Sequence, residues 1–176
     1  RMVGKDSMSQ SSRSLKDIQG KDYYWIVLRK NIKFAAREYA LGYLRENPDD
    51  LEYLAHVGHL FVDSGPTATH KTHKFAALLL QKAADFGFEG HSKFWRELAT
   101  SHMRTYLSAG LTGEREHLTY ACAAWKKALT FLENTVNSNC WVSYAMSHSY
   151  LGDFKSASSA LSQLISNFPN LKNISN

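Results

Sequence analysis

The sequence predicts an all-α fold in which antiparallel helix pairs stack as an α-solenoid of about seven to eight helices. Two observations lead to this prediction. From about residue 21 onward, apolar residues recur at spacings of three and four, and alternation with a period of two is almost absent. The prolines Pro48, Pro66 and Pro169 each follow an amphipathic stretch, where they mark the end of a helix.

The same pattern places the individual elements. Helices are expected near residues 22–30, 32–46, 50–63, 72–87, 92–108, 115–133, 138–150 and 154–167. Asn31, Ser92 and Asp153 stand just before apolar-periodic segments, where a side-chain oxygen can accept from the free amides of a first helical turn, so we expect them to be N-caps. A polar lead-in at 1–20 then precedes a repeat domain at 21–171, with units near 21–48, 51–88, 91–134 and 138–170 and a tail at 172–176.

Small residues recur at equivalent places in successive helix pairs. The last pair reads SNCWVSYAMSHSYLGDFKSASSALSQLISNFPN, with Ala145 in its first helix and Gly152 between its helices. The pair that begins at Leu51 has Gly58 and Gly65 at the corresponding places. A small residue in the first helix lets the second helix cross it closely, and a glycine between them permits the reversal of the chain.

This arrangement resembles the tetratricopeptide repeat, most closely at 51–65 and 138–170. The inter-helix glycines Gly65, Gly110 and Gly152 are about 45 and 42 residues apart, against a family period of about 34. Insertions at 66–73 and 104–116 account for the excess. The segment QKAADFG at 81–87 resembles, more weakly, the recurrent ending of the Sel1-like group.

The resemblance implies that the first helix of each pair lines a concave surface for a protein partner. Its expected contact residues are His59, Lys93, Arg96, Arg104, Asn139, Met146 and Tyr150. Lys93, Arg96 and Arg104 share one side of a helix, and guanidinium groups suit carboxylates or phosphates. The predicted function is therefore a protein-interaction or scaffolding module for a peptide that is acidic or phosphorylated.

The net charge and the short length of the array leave two other functions open. The chain has 21 Lys and Arg against 16 Asp and Glu, a formal charge of +5, so a helical repeat that binds nucleic acid is an alternative, although no dense basic run occurs. Self-association as a homodimer is another, because a short array leaves apolar faces at its ends.

Motifs for catalysis or metal binding do not stand out. His56, His59, His70 and His73 lie within 18 residues and invite a zinc hypothesis, but tetrahedral sites usually include cysteine or carboxylate ligands in fixed turns, so we favour structural or solvated histidines. The nucleophile elbow, the phosphate loop and the HExxH helix are all missing. We predict no enzyme activity, no cofactor and no metal.

The expected setting is intracellular and cytoplasmic. No apolar run approaches the ~20 residues of a membrane span, and no signal-peptide pattern is visible. Cys122 and Cys140 lie in apolar segments without metal-ligand spacing, which favours reduced core thiols. Because the chain begins at Arg1, we expect it to be part of a larger protein.

Overall fold

The computed structural model describes residues 33–62 and 68–170, which form helices and no strand. The helices are α1 (Lys33–Glu46), α2 (Leu51–Phe61), α3 (His70–Asp85), α4 (Ser92–Ser108), α5 (Glu116–Ala128), α6 (Leu132–Thr135), α7 (Ser138–Leu151) and α8 (Phe154–Asn167), with a 3₁₀ turn at Gly110–Thr112. The all-α class is thus confirmed. The predicted lead-in, the helix near 22–30, Asn31, Gly65, Pro66 and the tail at 172–176 lie outside the described residues.

Each helix packs mainly on its neighbours along the chain. Within pairs, α2 packs on α3, α4 on α5 and α7 on α8; between pairs, α3 packs on α4 and α5 on α7, while α1 packs on α2. This is the neighbour-to-neighbour packing of a helical solenoid. Its core includes the fully buried side chains of Tyr53, Leu80, Leu98 and Leu118.

Two glycines make the close crossings and reversals that the sequence pattern predicts. A Cβ added at Gly58 of α2 would lie 2.6 Å from Cδ2 of Leu80 in α3, so only glycine allows this approach without a shift of Leu80. Gly152 has φ of +81°, the left-handed conformation that ends α7 and starts the turn into α8. Gly58 therefore permits the close approach of α2 and α3, and Gly152 permits the reversal of the chain between α7 and α8.

Two tryptophans occupy equivalent positions in successive pairs. Trp95 in α4 donates its indole N–H to the carbonyl of Glu89 at 2.9 Å, and Trp141 in α7 donates to the carbonyl of Thr135 at 3.0 Å. In both cases the acceptor lies six residues earlier, in the segment that leads into the helix. The first helices of these two pairs thus begin in the same way.

The helix expected over 115–133 is shorter in the structure. α5 ends at Ala128, and the one-turn helix α6 follows after a turn. Thr130 donates its hydroxyl to the carbonyl of Lys127 at 2.7 Å, and Asn134 donates its amide to the carbonyl of Ala128 at 2.8 Å. These side chains add hydrogen bonds to the last carbonyls of α5, which also accept from the backbone amides of Thr130 and Phe131.

Side-chain caps fix the helix starts. Asp153 accepts from the amide of Ser156 at 3.1 Å, as the sequence predicts. At α4 the cap is His91, whose ring accepts from the amide of Phe94 at 3.4 Å, so Ser92 is the first helical residue and the expectation that it caps the helix is wrong.

Candidate binding surface

Two adjoining clefts run along α4, the first helix of the central pair. The α2–α4 cleft has a volume of about 250 Å³ and the α4–α7 cleft a volume of about 390 Å³. Glu97 lines both clefts and marks the boundary between them. The α2–α4 cleft is lined by Glu52, Ala55, His56, His59, Phe88, His91, Lys93, Phe94 and Glu97. The α4–α7 cleft is lined by Val62, Arg96, Glu97, Thr100, Arg104, Trp125, Asn137, Asn139, Cys140 and Ser143.

In the α2–α4 cleft, the predicted contact residues His59 and Lys93 both face Glu97. The Nδ1 atom of His59 lies 2.8 Å from Oε1 and 2.9 Å from Oε2 of Glu97, which joins α2 to α4. The ammonium group of Lys93 is 3.7 Å from the same carboxylate. Glu97, which sequence reasoning did not single out, therefore offsets positive charge at this end of α4.

The α4–α7 cleft is lined by three of the candidate contact residues, Arg96, Arg104 and Asn139. Between the two arginines, Thr100 donates its hydroxyl to the carbonyl of Arg96 at 2.7 Å. At the α7 side, burial raises the pKa of the Cys140 thiol although Arg96 opposes the shift, so this thiol is neutral at neutral pH. The cleft thus combines the two arginines with neutral polar groups and, at its edge, the carboxylate of Glu97.

A buried asparagine holds Arg96 in this cleft. Nη1 of Arg96 donates to Oδ1 of Asn134 at 3.3 Å, and Asn134 itself is fully buried. The amide of Asn134 also donates to the carbonyls of Ser92 and Ala128, at 3.0 and 2.8 Å. Asn134 belongs to α6, the one-turn helix that the sequence pattern did not reveal, and no motif identifies its partners.

Met146 and Tyr150 lie on α7 beyond the α4–α7 cleft. Their side chains are 41% and 44% exposed, and the ring of Tyr150 lies 5.9 Å from that of Tyr106 in α4. Five of the seven predicted contact residues therefore line the two clefts. The other two, Met146 and Tyr150, are exposed on the second half of α7 and line neither cleft.

The histidines of the zinc hypothesis have separate partners. His59 contacts Glu97, the Nδ1 atom of His70 lies 3.0 Å from the hydroxyl of Ser108, and His56 lies 3.7 Å from Glu52. Among residues 33–62 and 68–170, no three His, Cys, Asp or Glu side chains are grouped to hold a metal ion. No helix in the same part of the chain is both long and apolar enough to span a bilayer.

A histidine pair that the sequence pattern did not reveal joins α4 to α5. The Nδ1 atoms of His102 and His117 are 2.8 Å apart, and Nε2 of His102 lies 3.1 Å from Oε1 of Gln81 in α3. Since Oε1 accepts, His102 carries its proton on Nε2, and Nδ1 of His102 accepts from Nδ1 of His117. The two residues are 15 positions apart in the sequence, a spacing that matches no known motif.

Burial keeps this histidine pair neutral. It lowers the pKa of His102 to about 3, and the charge of His117 acts in the same direction. Burial also lowers the pKa of His117, although Glu114 opposes the shift. Both rings are therefore uncharged at neutral pH and link three helices through hydrogen bonds.

Comparison with solved structures identifies the fold. A crystal structure of MamA aligns with a TM-score of 0.60 and 17% identity, over 86% of this chain and 75% of that chain. A second structure, MamA (AMB-1), aligns with a TM-score of 0.61 and 14% identity, over 84% and 76%. YrrB, a TPR protein with an unusual peptide-binding site, matches at 12% identity over 93% and 92%, but its TM-score of 0.39 is too low for a comparison of sites. No protein-family model and no curated protein matches the chain.

At these identities the similarity concerns the fold alone. The stacked antiparallel pairs, the close crossing at Gly58 and the left-handed reversal at Gly152 agree with it. The resemblance inferred from the spacing of small residues is confirmed at this level. The chain therefore has the fold of a tetratricopeptide-like helical repeat.

Proposed function

We propose that this chain is a protein-interaction module that binds an extended acidic peptide in the α4–α7 cleft. One observation carries the proposal: Arg96 and Arg104 line the same cleft of about 390 Å³, together with hydroxyl and amide side chains and with Glu97 at its edge. A guanidinium group binds a carboxylate or a phosphate through paired N–H donors. Such a cleft can hold acidic side chains at two points and peptide groups between them.

The spacing of the two arginines defines the ligand further. They are eight residues apart on α4, which corresponds to about 12 Å along the helix axis. An extended peptide advances about 3.3 Å per residue and points alternate side chains to one side, so residues i and i+4 present side chains about 13 Å apart. The cleft therefore fits an extended segment with acidic residues at positions i and i+4.

The cleft is also prepared for binding before a ligand arrives. The buried Asn134 accepts a hydrogen bond from the guanidinium of Arg96. This bond restricts the side chain of Arg96 before a ligand binds, so Arg96 loses less conformational entropy on binding. Asn139 is exposed on α7 and Thr100 is half-buried on α4, where they can bond to the backbone of an extended peptide. The carboxylate of Glu97 points into the neighbouring cleft, where its Oε1 atom lies 2.8 Å from Nδ1 of His59.

Fluorescence anisotropy with two labelled peptides tests the proposal. The probes are a peptide with the core Glu-Thr-Val-Thr-Glu and a counterpart in which both Glu are Gln. We expect tighter binding of the Glu peptide and a roughly 10- to 100-fold loss for Arg104→Glu, the range given by one hydrogen-bonded charge. Lys126→Glu on the exposed side of α5 introduces the same charge change away from the cleft and serves as the control.

Two results would count against the proposal. One is equal affinity for the Glu and Gln peptides. The other is unchanged binding by Arg104→Glu in a protein whose circular dichroism shows an intact fold.

A nucleic-acid partner is the second candidate, and one feature of α4 disfavours it. Glu97 lies on the same side of α4 as Lys93, Arg96 and Arg104 and lines both clefts. Its carboxylate repels the nearest phosphate of a continuous backbone, whereas a peptide with acidic residues only at i and i+4 can place an uncharged residue beside it. A labelled single-stranded RNA at low salt tests this alternative. Binding that weakens steeply with salt would favour it over the peptide.

A further inference from the structure

The last helix, α8, carries an exposed apolar stripe. Phe154, Leu161 and Ile165 are 70%, 44% and 43% exposed, and their spacing places them on one side of the helix. Ala157, Ala160 and Leu164 are buried on the adjoining side, and α7 is the described helix on which α8 mainly packs. In the part of the chain that the structure describes, the terminal stripe (Phe154, Leu161 and Ile165) is left to solvent.

The surroundings of this stripe are almost free of charge. Residues 137–170 contain one acidic residue, Asp153, and one basic residue, Lys155, so the formal charge of +5 lies entirely on the rest of the chain. Asp153 is engaged at the start of α8, where it accepts from the amide of Ser156 and lies 3.2 Å from His148. The terminal pair is thus a neutral surface on a basic molecule.

We propose that the terminal stripe is the contact through which two copies of this chain form a dimer about a twofold axis. In such an interface each residue near the axis faces its own counterpart, so a charged surface would meet like charge. Two copies with a charge of +5 each repel one another through their basic faces, and the neutral terminal pair is a surface where they can meet without that cost. An identical uncharged stripe on a second copy fits this surface without bringing like charges face to face.

Ser162, a polar residue beside the stripe, tolerates burial. The hydroxyl of Ser162 donates to the carbonyl of Ser158 at 2.9 Å, so it keeps its hydrogen bond when water is displaced. α8 has 14 residues, about 21 Å in length, and one side of it covers less than the ~800 Å² per partner of a standard interface. The dimer is therefore weak and depends on concentration.

Sedimentation equilibrium across a wide range of protein concentration tests the proposal. We expect the average mass to rise from that of one chain towards that of two. Leu161→Glu and, separately, Ile165→Glu place carboxylates face to face in the dimer, and we expect each to weaken dimerisation roughly tenfold or more. Leu111→Glu is the matched control, because Leu111 is fully exposed on the 3₁₀ turn.

A mixing experiment adds a readout that loss of folding cannot produce. Protein with Leu161→Glu mixed with protein with Leu161→Lys should form a mixed dimer, because opposite charges then face each other across the axis. A monomer at all concentrations, a dimer unaffected by both Glu variants, or assemblies larger than a dimer would each overturn the proposal. Peptide affinity at the α4–α7 cleft should not change in these variants, which separates the two proposals.

Discussion

Asn134 accepts a hydrogen bond from Arg96 at 3.3 Å and connects that arginine to the interior of the central helix pair. The amide of Asn134 also bonds to the carbonyl of Ser92 at the start of α4 and to that of Ala128 at the end of α5. One buried side chain therefore supports both the packing of the pair and the position of a proposed binding residue.

We expect Asn134→Ala to lower the free energy of unfolding by about 1–3 kcal/mol. The substitution removes two buried side-chain hydrogen bonds, to the carbonyls of Ser92 and Ala128, and each such bond contributes about 0.5–1.5 kcal/mol. It also releases Arg96, so affinity for the acidic peptide should fall. Urea denaturation followed by circular dichroism gives the first value, and fluorescence anisotropy gives the second.

Asn139→Ala provides the control for the stability measurement. Asn139 is exposed on α7, so this substitution should change the free energy of unfolding by no more than about 0.5 kcal/mol. Equal stability of the two variants would show that the hydrogen bonds of Asn134 do not support the α4–α5 pair.

A pair of glycine substitutions tests the close crossing of α2 and α3. Gly58→Ala should destabilise the protein by about 1–3 kcal/mol, because its Cβ would lie 2.6 Å from Cδ2 of Leu80 in a packed core. Gly42→Ala in α1 should stabilise it by up to about 1 kcal/mol, since no atom lies within 4 Å and alanine favours a helix. Thermal or urea unfolding measures both, and effects of the same sign would contradict this account of the crossing.

The sequence predicts the paired helices well because the signals that define them are local. Gly58 and Gly152 mark a close crossing and a reversal by their own residue type, and Asp153 caps the helix that it precedes. The end of α5 is not predicted, because Asn134 acts there through a side-chain bond to Ala128 that no periodicity encodes.

The sequence predicts several residues of the candidate site but not the charged contacts between helices. Helical spacing is enough to place Arg96 and Arg104 on one side of α4. The contact of His59 with Glu97 joins residues 38 positions apart, and its existence depends on how α2 crosses α4. Interactions between units are set by packing, which the spacing within a helix does not determine.

The role of Glu97 leads to a prediction about affinity. We expect Glu97→Gln to strengthen binding of the acidic peptide by roughly 2- to 5-fold, because it removes a negative charge at the edge of the cleft and frees Lys93 from it. Anisotropy titrations at low and high salt measure the change, which should shrink as salt screens the charges. Glu133→Gln in the exposed part of α6 is the control, and weaker binding by Glu97→Gln would contradict the proposed orientation of the ligand.

The buried histidine pair makes stability depend on pH. The pKa of His102 is about 3 in the folded protein and near 6.5 in an unfolded chain, so the unfolded state binds more protons between these values. The free energy of unfolding is therefore greatest above about pH 6.5 and falls as the pH is lowered through this range. His117, whose pKa is also lowered by burial, acts in the same direction.

Urea denaturation at pH 7.5 and pH 5 measures this dependence. We expect His102 alone to remove about 2 kcal/mol between these two values. The pKa values of Glu114 and Asp153 are lowered below those of ordinary carboxyl groups, so these two residues titrate below this range. His102→Asn should be less stable at pH 7.5, because it breaks the contacts with His117 and Gln81, and its stability should change less with pH than that of the parent protein. An equal pH dependence in the two proteins would show that His102 is not the group that takes up the proton on unfolding.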